Sequence, residues 1–247
     1  MRRTMLLALA GTIALAVSVA LAGTLAGTLA EAGTLAQRAL AAGSASGPPV
    51  TIRIEGSSKT LLIPTRVRTH SGSITKYGAP KGKCPAHSAQ GALDVATHGR
   101  WHGKWYDSYN EYFISSILGE KPPSTSDFWD IFVNNKPSSV GACDVTLHRG
   151  DQLVFADTSG KEGVSALRAP HTAIAGRSFR VKLLGYSTKG QSTPLRGVRI
   201  TGNGITPVRT NRSGVAHVLK QNPGVLVLRA APEGYVRTEA VVHLAHR

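Results

Sequence analysis

Residues 112–151, YFISSILGEKPPSTSDFWDIFVNNKPSSVGACDVTLHRGD, decide the fold. Residues 112–118 and 128–133 are dense in aromatic and β-branched side chains and read as strands. The Pro/Ser-rich segment 121–126 separates them, and Asn134-Asn135-Lys136 predicts a tight turn because Asn tolerates positive φ. Residues 143–147 alternate as a further strand, and Arg149-Gly150-Asp151 turns into a last strand over 152–156. The stretch holds no catalytic constellation. It reads as a compact, β-rich extracellular module.

Working upstream, residues 50–54 alternate apolar and polar side chains, which predicts a half-buried strand. Residues 56–59 form a hairpin turn, and 60–64 the returning strand. Ser88 caps a short helix over 88–97 whose Ala89, Ala92, Leu93 and Ala96 make one narrow apolar face, with Gly99 as the stop. Residues 98–106, HGRWHGKWY, are expected to be a loop rich in glycine and aromatic rings.

This order of elements, with Tyr-Phe-Ile-x-x-Ile-x-Gly from Tyr112, Phe-Trp-x-x-x-Val-Asn from Phe128, and Leu-x-x-Gly-Asp from Leu147, resembles the transcobalamin-like C-terminal domain family. The resemblance covers about residues 50–157 and is most specific over 112–155. In bacteria the family is largely a domain of unknown function on secreted and surface proteins. In animals a related module is the small β-rich domain of cobalamin carriers. Cobalamin binding does not carry over, since the carriers' pocket comes mostly from a large helical domain for which this chain has no room. No cofactor is expected.

Downstream, residues 168–247 alternate strands and turns without helical periodicity, at the spacing of a β-sandwich. The segments starting at Pro194, Thr210 and Leu228 resemble bacterial immunoglobulin-like or carboxypeptidase-regulatory-like domains, which implies a stalk, spacer or adhesive surface. The expected fold class is therefore mainly β: a small α+β domain with one short helix over 50–163, then a sandwich over 164–247.

Arg2 and Arg3 precede an apolar run over 5–30, which predicts a secretory signal peptide over 1–32 with small-residue cleavage sites at Ala22 and Ala32. The run approaches the length of a membrane span, so an uncleaved anchor and twin-arginine export both stay open. The AGTLA-like repeats and GSASGPP that follow make a flexible linker over 33–49. The expected location is secreted or at the cell surface, with membrane association only peripheral or through the uncleaved signal.

The net charge of +15 is unevenly placed. Residues 51–163 carry 13 Lys+Arg against 11 Asp+Glu, and residues 164–247 carry 13 against 2. The basic half points to acidic envelope polymers, with Arg180, Lys182, Arg196, Arg199, Arg209 and Arg212 as candidate polyanion contacts. Export argues against nucleic acid as a partner in vivo. Cys84 and Cys143, an even count without metal-like spacing in an exported chain, predict a disulfide. Trp101, Trp105, Tyr106, Tyr109 and Tyr112 are candidate ligand-stacking rings for glycans or a surface protein. His87, His98 and His102 lack a completing carboxylate and make no zinc signature. The leading expectation is a non-enzymatic binding or adhesion protein. The alternatives are a secreted hydrolase using Cys84 or His87, His98 and Asp94, and a purely structural envelope spacer.

Overall fold

The computed structural model describes residues 47–246. The expected signal over 1–32 and the linker as far as residue 46 lie outside the described residues. In chain order the elements are β1 (Pro49–Glu55), β2 (Thr60–Arg68), α1 (Ala89–Ala96), β3 (Trp101–Tyr106), β4 (Glu111–Ile117), β5 (Phe128–Val133), β6 (Lys136–Pro137) and β7 (Gln152–Thr158). There follow β8 (Gly163–Arg168), β9 (Thr172–Ile174), β10 (Phe179–Tyr186), β11 (Ser192–Pro194), β12 (Arg199–Gly202), β13 (Val208–Arg209), β14 (Val215–Val218), β15 (Gly224–Ala230), β16 (Tyr235–Val236) and β17 (Thr238–Ala245). The architecture is mainly β, with one short α-helix among the described residues.

The first sheet has the order β2-β1-β7-β5-β6, and β3 and β4 form a separate two-stranded ribbon. One face of the sheet meets α1 and the ribbon. Ile52, Ile54, Leu153 and Phe155 join Leu93, Trp101 and Ile117 in a single apolar core. Ser88 caps α1 by accepting from the Gly91 N–H, as the sequence predicts. Gly91 is required for a second reason: a Cβ there would fall 1.9 Å from the Ala86 carbonyl oxygen. Pro64 lies in the outer strand β2, where its missing N–H costs no ladder bond and leaves the edge a poor template for another strand.

Two local expectations meet different outcomes. Asn134 and Asn135, at φ 51° and 65°, form the two-residue loop between the paired Val133 and Lys136. Residues 143–147, expected as a strand, make only an isolated bridge from Thr146 to Ser88. Val145 and Leu147 are buried and Asp144 and Thr146 exposed, so the alternation is real. The segment lacks a neighbouring strand because Cys143 is tied to Cys84 and its N–H is taken by the Glu111 carboxylate. That disulfide has its sulfurs 2.07 Å apart and closes 59 residues, worth about 4 kcal/mol in the chain-entropy account.

The C-terminal half is a two-sheet sandwich that fits an immunoglobulin-like fold. One sheet runs β11-β10-β8-β16, with β14 also on β10, and the other β13-β12-β15-β17-β9. Val181, Leu183, Ile200, Val218, Leu226, Leu228 and Val242 fill the space between them. The sandwich docks on the free face of the first sheet. There Phe132, Val154 and Ala156 pack against Val164, Leu184, Tyr186 and Val236. β7 is thus buried on both faces, which explains why its sequence is a continuous apolar run rather than an alternating one. The same docking buries Arg53 and Glu55 on β1, where alternation had predicted a half-exposed strand.

Candidate functional site

The expected aromatic loop is in fact strand β3, so its rings divide between the two faces of the ribbon. Trp101 is fully buried, and Trp105 and Tyr112 nearly so. They stack edge-to-face, with centroids 5.0 Å apart for Trp101–Tyr112 and for Trp105–Tyr112. The indole N–H of Trp101 donates to Asp94 at 2.7 Å, that of Trp105 to Asp107, and the Tyr112 hydroxyl to the Lys76 carbonyl. Burial, with Asp94 and Glu111 nearby, pushes the Tyr112 phenol up to about 12. Trp101 and Trp105 are therefore core residues in this structure and present no face to a ligand. Tyr106 and Tyr109 remain exposed, at 39% and 75%, and Phe113, which the sequence reading passed over, is 56% exposed. With the edge of Tyr112 and with Glu111 they line an apolar shelf of about 270 Å³. Strand parity was the missed signal: Phe113 pairs with Lys104, on the face opposite Trp105 and Tyr112.

The histidines and Asp94 do not assemble. His87, His98 and His102 are exposed, and Asp94 is occupied by Lys76 and Trp101. Cys84 is oxidised in the disulfide, which removes the thiol that the hydrolase alternative needed. Among the described residues no group of three or more His, Cys, Asp or Glu is placed to hold a metal ion.

The six candidate polyanion contacts also divide. Arg180 and Lys182 lie on β10, paired with His217 and Val215, in one sheet of the sandwich. Arg212 is in the turn before β14. Arg199 pairs with Arg209 in the other sheet, on the face that turns away from the sandwich core. There Arg199 meets residues that the sequence did not single out. Thr201 lies opposite Arg229, and Arg229 opposite Glu239. The β1–β2 turn reaches over this row and encloses a cleft of about 620 Å³ lined by Ser58, Lys59, Thr60, Arg199, Thr201, Arg229, Arg237 and Glu239. The side chains of Lys59, Arg199 and Arg229 have no hydrogen bond or ion pair to a described residue. A second depression of about 580 Å³ shares Arg199 and adds Arg196 and Arg209.

Beneath the cleft lies a buried ionisable cluster. Arg53 donates to the Thr238 hydroxyl at 2.6 Å and to the Ser165 carbonyl at 3.0 Å, and its Nε lies 3.6 Å from Glu55. Arg237 donates to the carbonyls of Gly56 and Ser57. The Thr60 hydroxyl contacts both Glu55 and Glu239. A hydroxyl has one proton, so it donates to one carboxylate and must accept from the other. One of the two acids is thus protonated. Burial first, then the hydrogen bond and the charge of Glu239, push Glu55 up to about 9. Glu55 is the acid that keeps its proton at neutral pH.

A model of a family described as a domain of unknown function (DUF4430) matches residues 100–158, from the approach to β3 through β7. No curated protein matches. Among solved structures, the human desmocollin-1 ectodomain is similar at 14% identity and a TM-score of 0.19, over 82% of this chain and 42% of that one. The chain spans less than half the length of that ectodomain, and a likeness at this score supports no argument about fold or role. The matched residues 100–158 take in the β3–β4 ribbon, β5 to β7 and Cys143 of the disulfide.

Proposed function

We propose that this protein is a non-enzymatic binding or adhesion protein that works outside the cytoplasm and takes a glycan on the β3–β4 shelf. The observation that carries the reading is the exposure of Tyr106, Tyr109 and Phe113 around one depression, three rings left in water beside a core that buries Trp101 completely. Exposed rings offer flat apolar faces to the C–H surface of a sugar, and the tyrosine hydroxyls offer hydrogen bonds at the rim. A transcobalamin-like label for the matched domain belongs to this proposal, as do export through the leader over 1–32 and retention by acidic envelope polymers at the sandwich. The disulfide supports an oxidising compartment.

A neutral-glycan array probed with the secreted protein tests the reading, repeated with Tyr109→Ala and Phe113→Ala. Loss of signal in both variants, with unchanged thermal unfolding, supports it. An array signal indifferent to both substitutions, or no signal from the parent protein, rejects it.

A further inference from the structure

We infer that the cleft between the β1–β2 turn and the outer face of β12, β15 and β17 is a binding site for a segment of acidic polysaccharide. The inference rests on reading the sandwich as the anion-facing half, and deepens it from a diffuse charge to one place.

Three observations converge. The first is unbalanced charge. Lys59, Arg199 and Arg229 stand together and make no ion pair among the described residues, although Arg229 lies across the ladder from Glu239. Arg237, pinned by the Gly56 and Ser57 carbonyls and 4.0 Å from Glu55, is a fourth cation on the same wall. Like charges gathered without compensation repel, and an anion between them relieves that cost while forming charge-assisted hydrogen bonds. Glu239 is the single carboxylate of the lining, and it accepts from the Thr60 hydroxyl at the floor. The second is shape. A volume of about 620 Å³ lies within the range of sites for organic ligands, larger than a lone sulfate or phosphate needs. It shares Arg199 and Ala231 with the neighbouring depression, where Arg196 and Arg209 outnumber one carboxylate, Glu233, so an extended chain bearing several anions has more cations within reach than a single small ion would use. The third is the remaining chemistry. Ser58, Thr60 and Thr201 supply hydroxyls suited to sugar hydroxyls, and the lining has no aromatic ring on which a nucleobase could stack.

The placement also orders the basic residues by role. Arg199 and Arg229 belong to the site, and Arg180 and Arg212 to the general field of the sandwich.

The test is calorimetric titration of the full secreted chain with a heparin-derived hexasaccharide, a hexagalacturonate, a polyphosphate, a single-stranded oligonucleotide and inorganic sulfate. Each is repeated on Arg199→Ala/Arg229→Ala and on Arg180→Ala/Arg212→Ala, two double variants with the same change in net charge. The expected result is saturable, salt-sensitive binding of one of the hexasaccharides, weakened about tenfold or more by the first pair and less than about threefold by the second. Equal weakening by both pairs overturns the site and leaves diffuse attraction standing. Tighter binding of polyphosphate or the oligonucleotide overturns the polysaccharide assignment. Binding of none of the probes overturns both the site and the anion-facing reading. The array on neutral glycans reports on the aromatic shelf independently of all these outcomes.

Discussion

The two faces of the first sheet are stabilised by different means. Toward α1 and the ribbon it is apolar and ring-filled, with Ile52, Ile54 and Phe155 packed around Trp101. Toward the sandwich, the same strands present Arg53 and Glu55 alongside Val154 and Ala156. The first face is specified by volume; the Trp101 indole is satisfied by Asp94, while the Trp129 indole N–H and the Gln90 amide are buried there without a hydrogen-bond partner among the described residues. The second is specified by hydrogen-bond geometry that reaches across 185 residues of sequence, from Arg53 to Thr238. The pairing on this face is incomplete, since Arg53 Nε, Glu55 Oε1, Arg237 Nη1 and Glu239 Oε2 are buried without a hydrogen-bond partner among the described residues. The lesson is that the sandwich meets the sheet through a polar cluster whose directed hydrogen bonds, from Arg53 to Thr238 and Ser165 and from Arg237 to Gly56 and Ser57, cross between the two.

Breaking the apolar face should have the largest effect. Trp101→Ala removes a fully buried ring and the donor to Asp94, and should cost roughly 3–5 kcal/mol in urea unfolding. A loss below about 1 kcal/mol would show that the ring is not a core element. Breaking the charged face comes next. Arg53→Met removes the buried cation near Glu239 together with its hydrogen bonds to Thr238 and Ser165, and should cost about 3 kcal/mol. Adding Glu55→Leu should restore part of that loss, because a buried carboxyl that has lost its neighbour Arg53 is then replaced by an apolar side chain. If the double variant is as unstable as the sum of the single ones, the cluster does not act as a unit.

A pH series separates the faces more finely. The ordinary carboxyl value of 4.5 for Glu55 rises to about 9 on folding, so between these values the native state holds a proton that the unfolded chain has released. The contribution of this group is therefore fully favourable below about pH 4.5, declines as pH rises, and levels above about 9, with a slope of at most about 1.4 kcal/mol per pH unit. Glu55→Gln should flatten the stability profile between pH 5 and 9, read from urea midpoints. An unchanged slope in this variant would place the titration elsewhere. The smallest effect is expected at the surface. Tyr109→Ala, at a 75% exposed ring, should alter stability by less than about 0.5 kcal/mol. A larger loss would make Tyr109 a packing residue and remove it from the shelf.

Much of the fold was legible in local chemistry. The Ser88 cap, the Asn134-Asn135 turn and the strand β1 follow from side chains acting on their own backbone or alternating across a pleat, which need no knowledge of distant partners. The Cys84–Cys143 pairing was legible because two cysteines leave a single possibility. The strand β3 was misread as a loop because Gly99 and Gly103 imitate turn signals. Gly103 instead sits where a Cβ would come within 2.8 Å of the Phe113 carbonyl and 3.3 Å of the Trp101 ring. Of the candidate rings, parity on the ribbon sorted the buried Trp101, Trp105 and Tyr112 from the exposed Tyr106 and Tyr109.

The sequence alone determined a mainly β chain with one capped helix, a disulfide and a C-terminal half rich in unpaired base, because these follow from composition, period and local hydrogen bonding. The tertiary structure alone brought Lys59 from one hairpin to Arg199, Arg229 and Arg237 of the sandwich, and buried Arg53 and Glu55 beneath them. Strand register and the docking of two sheets set which distant charges become neighbours, and neither leaves a mark on the residues immediately beside them in the chain.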